Sequence, residues 1–464
     1  MRDLLRKSPR FFVLTALAAL ALRLLFLWRF PGITSDSFTY GDIAKNWLQH
    51  GVYGLSAPNG PTPTYIRLPG YPAFLAAVFA IFGMEHYRAA LVLQSVLDIG
   101  TCLLTANIAR RLISERAARS AFLLTALCPF LANYAANALT ETLEIFFTVL
   151  ALDLAVAGLQ SKDRSLWPWA GCGLACGAAI LLRPDGGLLV AAIGIYLCWR
   201  VLISLIKISP VKILMIKAPE PLSAACLLRA GLVMGLLSFV PLVPWTLRNL
   251  HTMHRFQPLA PRYANDENSF VPLGFNRWVR TWIADYVSTE EIYWQEPGAE
   301  INPEQLPNRA FDSEEQRRQT ESLLADYNAA LRINPVMDAR FDSLAEERIH
   351  HAPLRYYAWL PLLRITDMWL RPRTETLPSD TRWWEFNDDP RWSALAVVLG
   401  AINLLYVGAA LVSLRPARFA FPFGMLLFFV ILRSLFLGTL ENPETRYTLE
   451  CYPIVILLIS RLRA

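Results

Sequence analysis

Long apolar runs alternate with short polar connections along the chain, and the length of each run decides whether it can cross a bilayer. A spanning helix needs about 20 mostly apolar residues. About ten segments approach that length, near 11–30, 88–109, 120–138, 141–159, 166–182, 186–206, 223–245, 392–413, 419–438 and 447–460. The run from Tyr71 to Gly83 is apolar but too short to span, and it reads as an interfacial or re-entrant helix. Between 246 and 391 the apolar pattern gives way to polar stretches and a charged, helical run from Glu314 to Ile349. Trp278, Trp282, Trp294, Trp359, Trp369, Trp383 and Trp384 fall in this region, a density that suits a domain lying on the headgroup layer.

Charge orders these segments. With the N-terminus cytoplasmic, the inside connections hold Arg110, Arg111, Arg116 and Arg119; Lys162 and Arg164; Arg200, Lys207, Lys212 and Lys217; Arg415 and Arg418; and Arg461 and Arg463. Every inside loop is basic, and one missed span would invert all later loops. The outside segments are then 31–87, 138–141, 183–186, 246–391 and 439–446. The expected architecture is an all-α polytopic membrane protein in three parts. These are an N-terminal transmembrane module, 1–245, with its first exterior loop at 31–87; an exterior, membrane-surface loop domain, 246–391; and C-terminal transmembrane helices, 392–464.

Composition agrees, with 54% hydrophobic and 18% charged residues where a soluble domain carries roughly a quarter charged. The net charge of +6 is spread over short clusters between apolar runs, which argues against nucleic acid and for topology signals. Cys102, Cys128, Cys172, Cys176, Cys198, Cys226 and Cys451 all fall in or beside apolar segments and read as small buried hydrophobes. Basic residues precede the first apolar run as in a signal peptide, but no small-residue cleavage site follows it, so the run reads as a retained anchor. No internal repeat supports a duplicated transporter.

Candidate chemistry gathers on the exterior side. Asp36 lies just beyond the first span, with Tyr40 one helical turn later; a carboxylate there could deprotonate an acceptor hydroxyl or simply cap a helix. Arg67 precedes Leu68-Pro69-Gly70-Tyr71-Pro72, a rigid approach to the short apolar helix. A fixed arginine at headgroup depth suits a lipid-linked phosphate, or an ordinary anionic lipid. Glu141 and Glu144 share a helical face at the membrane boundary, where carboxylates need pairing, hydration or a metal such as a divalent cation. Arg183 and Asp185, Arg248, and Arg446 with Tyr447 reach the same membrane face from distant parts of the chain. His251 and His254 lack a nearby acidic third ligand, which argues against zinc. Arg23, Asp98, Asp153, Arg229 and Arg433 lie within spans, and interhelical pairing such as Arg23 with Asp98 is the expected arrangement.

In their order and side, Asp36-Ser37-Phe38-Thr39-Tyr40, Arg67-Leu68-Pro69-Gly70-Tyr71-Pro72, Leu139-Thr140-Glu141, Arg183-Pro184-Asp185, Pro244-Trp245-Thr246-Leu247-Arg248-Asn249 and Arg446-Tyr447 resemble the bacterial GT-C glycosyltransferases of the family 39 type, which include protein mannosyltransferases and aminoarabinose transferases. The resemblance implies a GT-C-like bundle of about ten transmembrane helices, within a range of roughly nine to thirteen. It also implies Asp36 as catalytic base, and Tyr40, Arg67, Tyr71, Glu141, Arg183, Asp185, Arg248, Arg446 and Tyr447 as substrate-binding residues. The implied donor is a polyprenyl-phosphate-linked sugar and the acceptor an envelope lipid, glycan or protein, with the site on the periplasmic side of the bacterial inner membrane. Aminoarabinose transferases carry a Lys-Pro-Pro run where Arg67-Leu68-Pro69 stands, so the cation would be kept. Protein mannosyltransferases usually carry an Asp-Glu pair where this chain has Asp36-Ser37, a departure from that branch. A lipid flippase and a polysaccharide polymerase or ligase are the competing readings.

Overall fold

The computed structural model describes residues 1–161, 164–206, 222–266, 269–387, 389–415 and 422–463. Lys162, Lys207, Lys212, Lys217 and Arg418, part of the expected inside charge, lie outside the described residues. Apart from a two-stranded antiparallel pairing of Gly54–Leu55 with Thr62–Pro63 and one isolated bridge, the regular elements described are helices. Six are long and apolar enough to cross a membrane: Pro9–Arg29, Tyr87–Leu112, Glu141–Gln160, Pro184–Ile206, Ala224–Met253 and Pro390–Ser413. Large apolar side chains such as Leu14, Leu25, Leu232, Leu236 and Leu405 stay exposed along them, which water would penalise and lipid does not. The chain is a multi-pass integral membrane protein.

The remaining expected spans are shorter. The 120–138 run is two helices, Glu115–Ala126 and Pro129–Ala135, because Pro129 can open a helix but not continue one. Trp167–Leu182 and Phe423–Leu437 are shorter apolar helices, and Tyr452–Ser460 follows a tighter 3-10 stretch, Thr445–Cys451. The short run predicted before the second span is the helix Gly70–Phe82.

Two compact units make up the chain: Met1–Glu267, Gly408–Val430 and Leu449–Ala464 in the first, Asn268–Val407 and Ile431–Thr448 in the second. The first is a helix bundle in which Glu141–Gln160 packs on Tyr87–Leu112 and Trp167–Leu182, and Ala224–Phe239 covers the last of these. Its deepest charges are paired as expected. Arg23 Nε donates to Asp98 Oδ2 at 2.7 Å, and Arg23 Nη1 donates to the Ala126 carbonyl at 2.7 Å. Both side chains are almost fully buried, so each ion is the other's main compensation in a region without water. Both Asp153 carboxylate oxygens lie 2.9 Å from the donor Asn107 Nδ2, and Asp153 also pairs with Arg111. Five cysteines are buried as expected, whereas Cys198 is exposed and Cys226 half-buried.

The second unit corrects the picture of its tryptophans. Trp278 and Trp282 are fully buried, in a core with Phe275, Tyr327 and Phe341 rather than on a headgroup layer. Trp294, Trp359 and Trp384 remain exposed. The charged run splits into Glu314–Ala330 and Pro335–His351, since Leu331 takes a left-handed backbone (φ 51°) and Asn334 caps the following helix.

Candidate active site in the first unit

The first exterior loop opens with the helix Ser35–His50, whose N-cap is Thr34; the Thr34 backbone N–H donates to Ser37 Oγ at 3.0 Å. The cap is therefore not Asp36, which sits in the first turn with Tyr40 one turn on, as the spacing predicts. Asp36 Oδ1 accepts from Arg67 Nη2 at 2.8 Å, across 31 residues of chain. The Asp36 side chain is 34% exposed and that of Arg67 23%, so the pair is reachable from solvent without being loose on a surface.

Arg67 is placed by its backbone. Tyr53 donates its hydroxyl to the Arg67 carbonyl at 2.9 Å. Arg248, expected to bind substrate, instead donates to the carbonyls of Thr64, at 2.7 Å, and Tyr53, at 2.5 Å, and lies over the Tyr53 and Trp245 rings. Nη1 and Nη2 thus help to hold the loop that presents Arg67. Arg67 itself keeps capacity: its Nε is buried and makes no hydrogen bond among the described residues.

Gly70 brings this loop against a second group of charges. A Cβ on Gly70 would sit 2.6 Å from the Leu181 carbonyl oxygen, so only glycine permits the approach to the end of Trp167–Leu182. Gly32 is similar, since its Cβ would meet the Asn137 side chain at 1.6 Å; Gly32 N–H donates to Ala136 O at 2.9 Å and Ala138 N–H to Gly32 O at 2.8 Å. These two contacts dock the exterior loop, at Gly32 and at Gly70, beside the chain just before Glu141 and just before Arg183.

There the helix Glu141–Gln160 opens with Glu141 and Glu144, both buried, where its N-terminus favours negative charge. Arg183 lies among three carboxylates: 3.6 Å from Glu141, 3.5 Å from Glu144 and 3.2 Å from Asp185. The guanidinium stands where a bound cation would, and among the described residues no group of three or more His, Cys, Asp or Glu is arranged to hold a metal ion. His251 and His254 join no such group.

Tyr40 is between the two clusters. The Arg67 guanidinium lies 5.7 Å from its ring centroid, and Tyr71 packs edge-on at 5.1 Å. Burial pushes its hydroxyl up to about 12, with Arg67 and Arg183 opposing and Asp36 and Glu141 reinforcing the shift. At neutral pH Tyr40 therefore keeps its proton and can donate it. Tyr71 is fully buried and donates to Gln94 Oε1 at 2.6 Å, which makes it a support for Tyr40. Gln94, whose Nε2 donates to the Asn137 carbonyl at 2.8 Å, carried no signal in the sequence beyond being a polar residue in an apolar run.

Asp36, Tyr40, Arg67, Tyr71, Glu141, Arg183, Asp185 and Arg248 belong to the first unit, whereas Arg446 and Tyr447 belong to the second. In that unit Arg446 Nε lies 2.6 Å from Glu444, which also accepts from the Tyr447 hydroxyl.

Residues 62–218 match the family model described as dolichyl-phosphate-mannose-protein mannosyltransferase. The resemblance read from the sequence holds over that segment. It covers Arg67, Tyr71, Glu141, Arg183 and Asp185; Asp36, Tyr40 and Arg248 flank it. The archaeal oligosaccharyltransferase AglB from Archaeoglobus fulgidus, in complex with an inhibitory peptide and a dolichol-phosphate, is similar at TM-score 0.52 and 14% identity, over 98% of this chain and 50% of that one. An oligosaccharyltransferase of the same organism, tethered with an acceptor peptide, gives TM-score 0.51 at 12% identity, over 99% of this chain and 50% of that one. The chain thus spans about half the length of these relatives. ArnT from Cupriavidus metallidurans bound to undecaprenyl phosphate matches at TM-score 0.42 and 15% identity, over 97% of this chain and 77% of that one. No curated protein matches the chain. The likeness to the oligosaccharyltransferases shows a GT-C-like fold.

Proposed function

We propose that the chain is an integral membrane glycosyltransferase that moves a sugar from a polyprenyl-phosphate donor to an envelope acceptor with inversion. The observation that carries this reading is the Asp36–Arg67 pair, a carboxylate and a guanidinium with hydrogen-bonding capacity left, held within the first exterior loop. The donor phosphate takes the fork of Arg67. Asp36 is thereby released to accept the proton of the acceptor hydroxyl or amine, whose electron pair attacks the anomeric carbon. The bond from that carbon to the phosphate oxygen breaks, and its electrons leave with polyprenyl phosphate, whose added charge Arg67 offsets. A phosphate leaving group needs no general acid, so one carboxylate suffices, unlike the pair used in glycoside hydrolysis. Protonated Tyr40 donates to the sugar or phosphate, and Glu141, Arg183 and Asp185 fix its surroundings.

In this reading the N-terminus is cytoplasmic, the chain crosses the bacterial inner membrane about ten times, and the loops 31–87 and 246–391 are periplasmic. In this reading no nucleic acid takes part. The family match and the dolichol-phosphate named with the similar oligosaccharyltransferase support the choice of donor. The test is to supply proteoliposomes with a radiolabelled polyprenyl-phosphate sugar and an envelope extract. Transfer of label with release of free polyprenyl phosphate is expected. Movement of intact donor across the bilayer without cleavage would assign the chain to the flippases instead.

A further inference from the structure

The second unit contains a cavity of about 440 Å³, within the size range of small-molecule sites, bounded in part by the helix Leu360–Leu370 and the turn at Arg382 to Trp384. Three guanidiniums reach it, and two are already neutralised. Arg309 pairs with Asp285, and Arg382 holds Glu291 in a two-pronged contact at 2.6 and 2.7 Å. Arg371 makes no ion pair among the described residues. It is fixed between the rings of Tyr286 and Trp384, 5.5 and 5.8 Å from their centroids, and donates to the Thr381 carbonyl.

Polar capacity surrounds this cation. Asp367 Oδ2 accepts from the Tyr286 N–H at 3.0 Å, and among the described residues nothing donates to Oδ1. The indole N–H of Trp383 is buried and makes no hydrogen bond among the described residues. Gln305 lines the same space. Indole rings beside a carboxylate and an amide match a pyranose, which offers an apolar face and a rim of hydroxyls. Arg371, which makes no ion pair among the described residues although Asp367, Glu290 and Glu375 act on it through space, adds a demand for negative charge at closer range.

We infer that this cavity binds an anionic sugar, its carboxylate or phosphate on Arg371, its ring against Trp384 and its hydroxyls on Asp367 and Gln305. The inference is independent of the transferase reading, because binding is measured without donor or transfer. Full-length protein in nanodiscs is titrated by calorimetry with a glucuronic-acid-terminated disaccharide, with glucose 6-phosphate, and with the neutral counterpart of each. At least one anionic probe is expected to bind about tenfold tighter than its counterpart, and which one does so distinguishes carboxylate from phosphate. R371Q should abolish that preference while leaving weak neutral binding, and W384A should weaken every sugar. Thermal unfolding checks that each variant is folded; if R371Q is not, loss of the preference as salt rises in wild-type protein reads the same ion pair. Equal affinity for charged and neutral probes, or an unchanged preference in folded R371Q, overturns the inference.

Discussion

Asp36 and Arg67 could each be singled out from the sequence, one as a carboxylate after a span and the other as a cation before a Pro-Gly turn. Their mutual contact could not, because it depends on the loop closing over 31 residues. The same limit hid the role of Arg248: its charge was visible, but the two carbonyls that absorb its donors lie nearly two hundred residues away. R67K should keep most donor binding and R67A should raise the donor KM by about tenfold or more, as expected for a charge-assisted contact. Asp367 gives a residue-scale prediction in pH. Burial raises its carboxyl from an ordinary 3.8 to about 6, against the pull of Arg371. Between those values the unfolded chain has lost this proton while the folded chain retains it, so folding stability falls as pH rises through the window. D367N keeps an acceptor for the Tyr286 N–H and should flatten that part of the profile, making the variant the more stable form at pH 7.5; thermal unfolding at several pH values checks it. Arg183 already supplies positive charge to Glu141, Glu144 and Asp185, so transfer should survive chelation by EDTA, read as label transfer before and after treatment.

Among the elements, length and apolarity located the six long helices well, because a spanning segment must satisfy its own backbone in lipid. Breaks were harder to read. Pro129 divides a run whose hydropathy alone looks continuous, and Leu331 ends a helix without a glycine to announce it. Composition also misled at Trp278 and Trp282: the residue type suits both a headgroup layer and a buried aromatic core, and only packing decides. Helix placement matters for the proposed site through Gly70, which lets the Gly70–Phe82 helix begin against the Leu181 carbonyl. G70A should push Arg67 away from its partners and lower kcat/KM for the donor by an order of magnitude or so, with little change in expression. A donor titration of membranes carrying the variant checks it, and wild-type kinetics would show that the approach is not required.

For the whole molecule, the fold depends on charges that a soluble protein would seldom bury. Arg23 and Asp98 were legible as candidates for pairing because neither is tolerable alone at that depth, and the helices bring them to 2.7 Å. Removing one partner should be far worse than removing both: R23L leaves an isolated carboxylate and should destabilise by about 3–5 kcal/mol, whereas R23L with D98L should recover much of that loss. Unfolding in detergent, followed for the two single variants and the double variant, checks this. The second unit was legible mainly as a polar interruption of the apolar pattern, since its cavity joins residues from Asp285 to Trp384 that no local spacing connects. The proposed sugar binding there and the proposed transfer in the first unit can fail separately.

The central claim is that Asp36 removes the acceptor proton while Arg67 holds the donor phosphate. Its most direct test is single-turnover transfer from a labelled polyprenyl-phosphate sugar by purified D36N, with donor binding measured alongside. The rate should fall at least about a hundredfold while donor affinity is kept or improved, since Arg67 no longer has a charged partner to leave. Transfer by D36N at the wild-type rate would contradict the account.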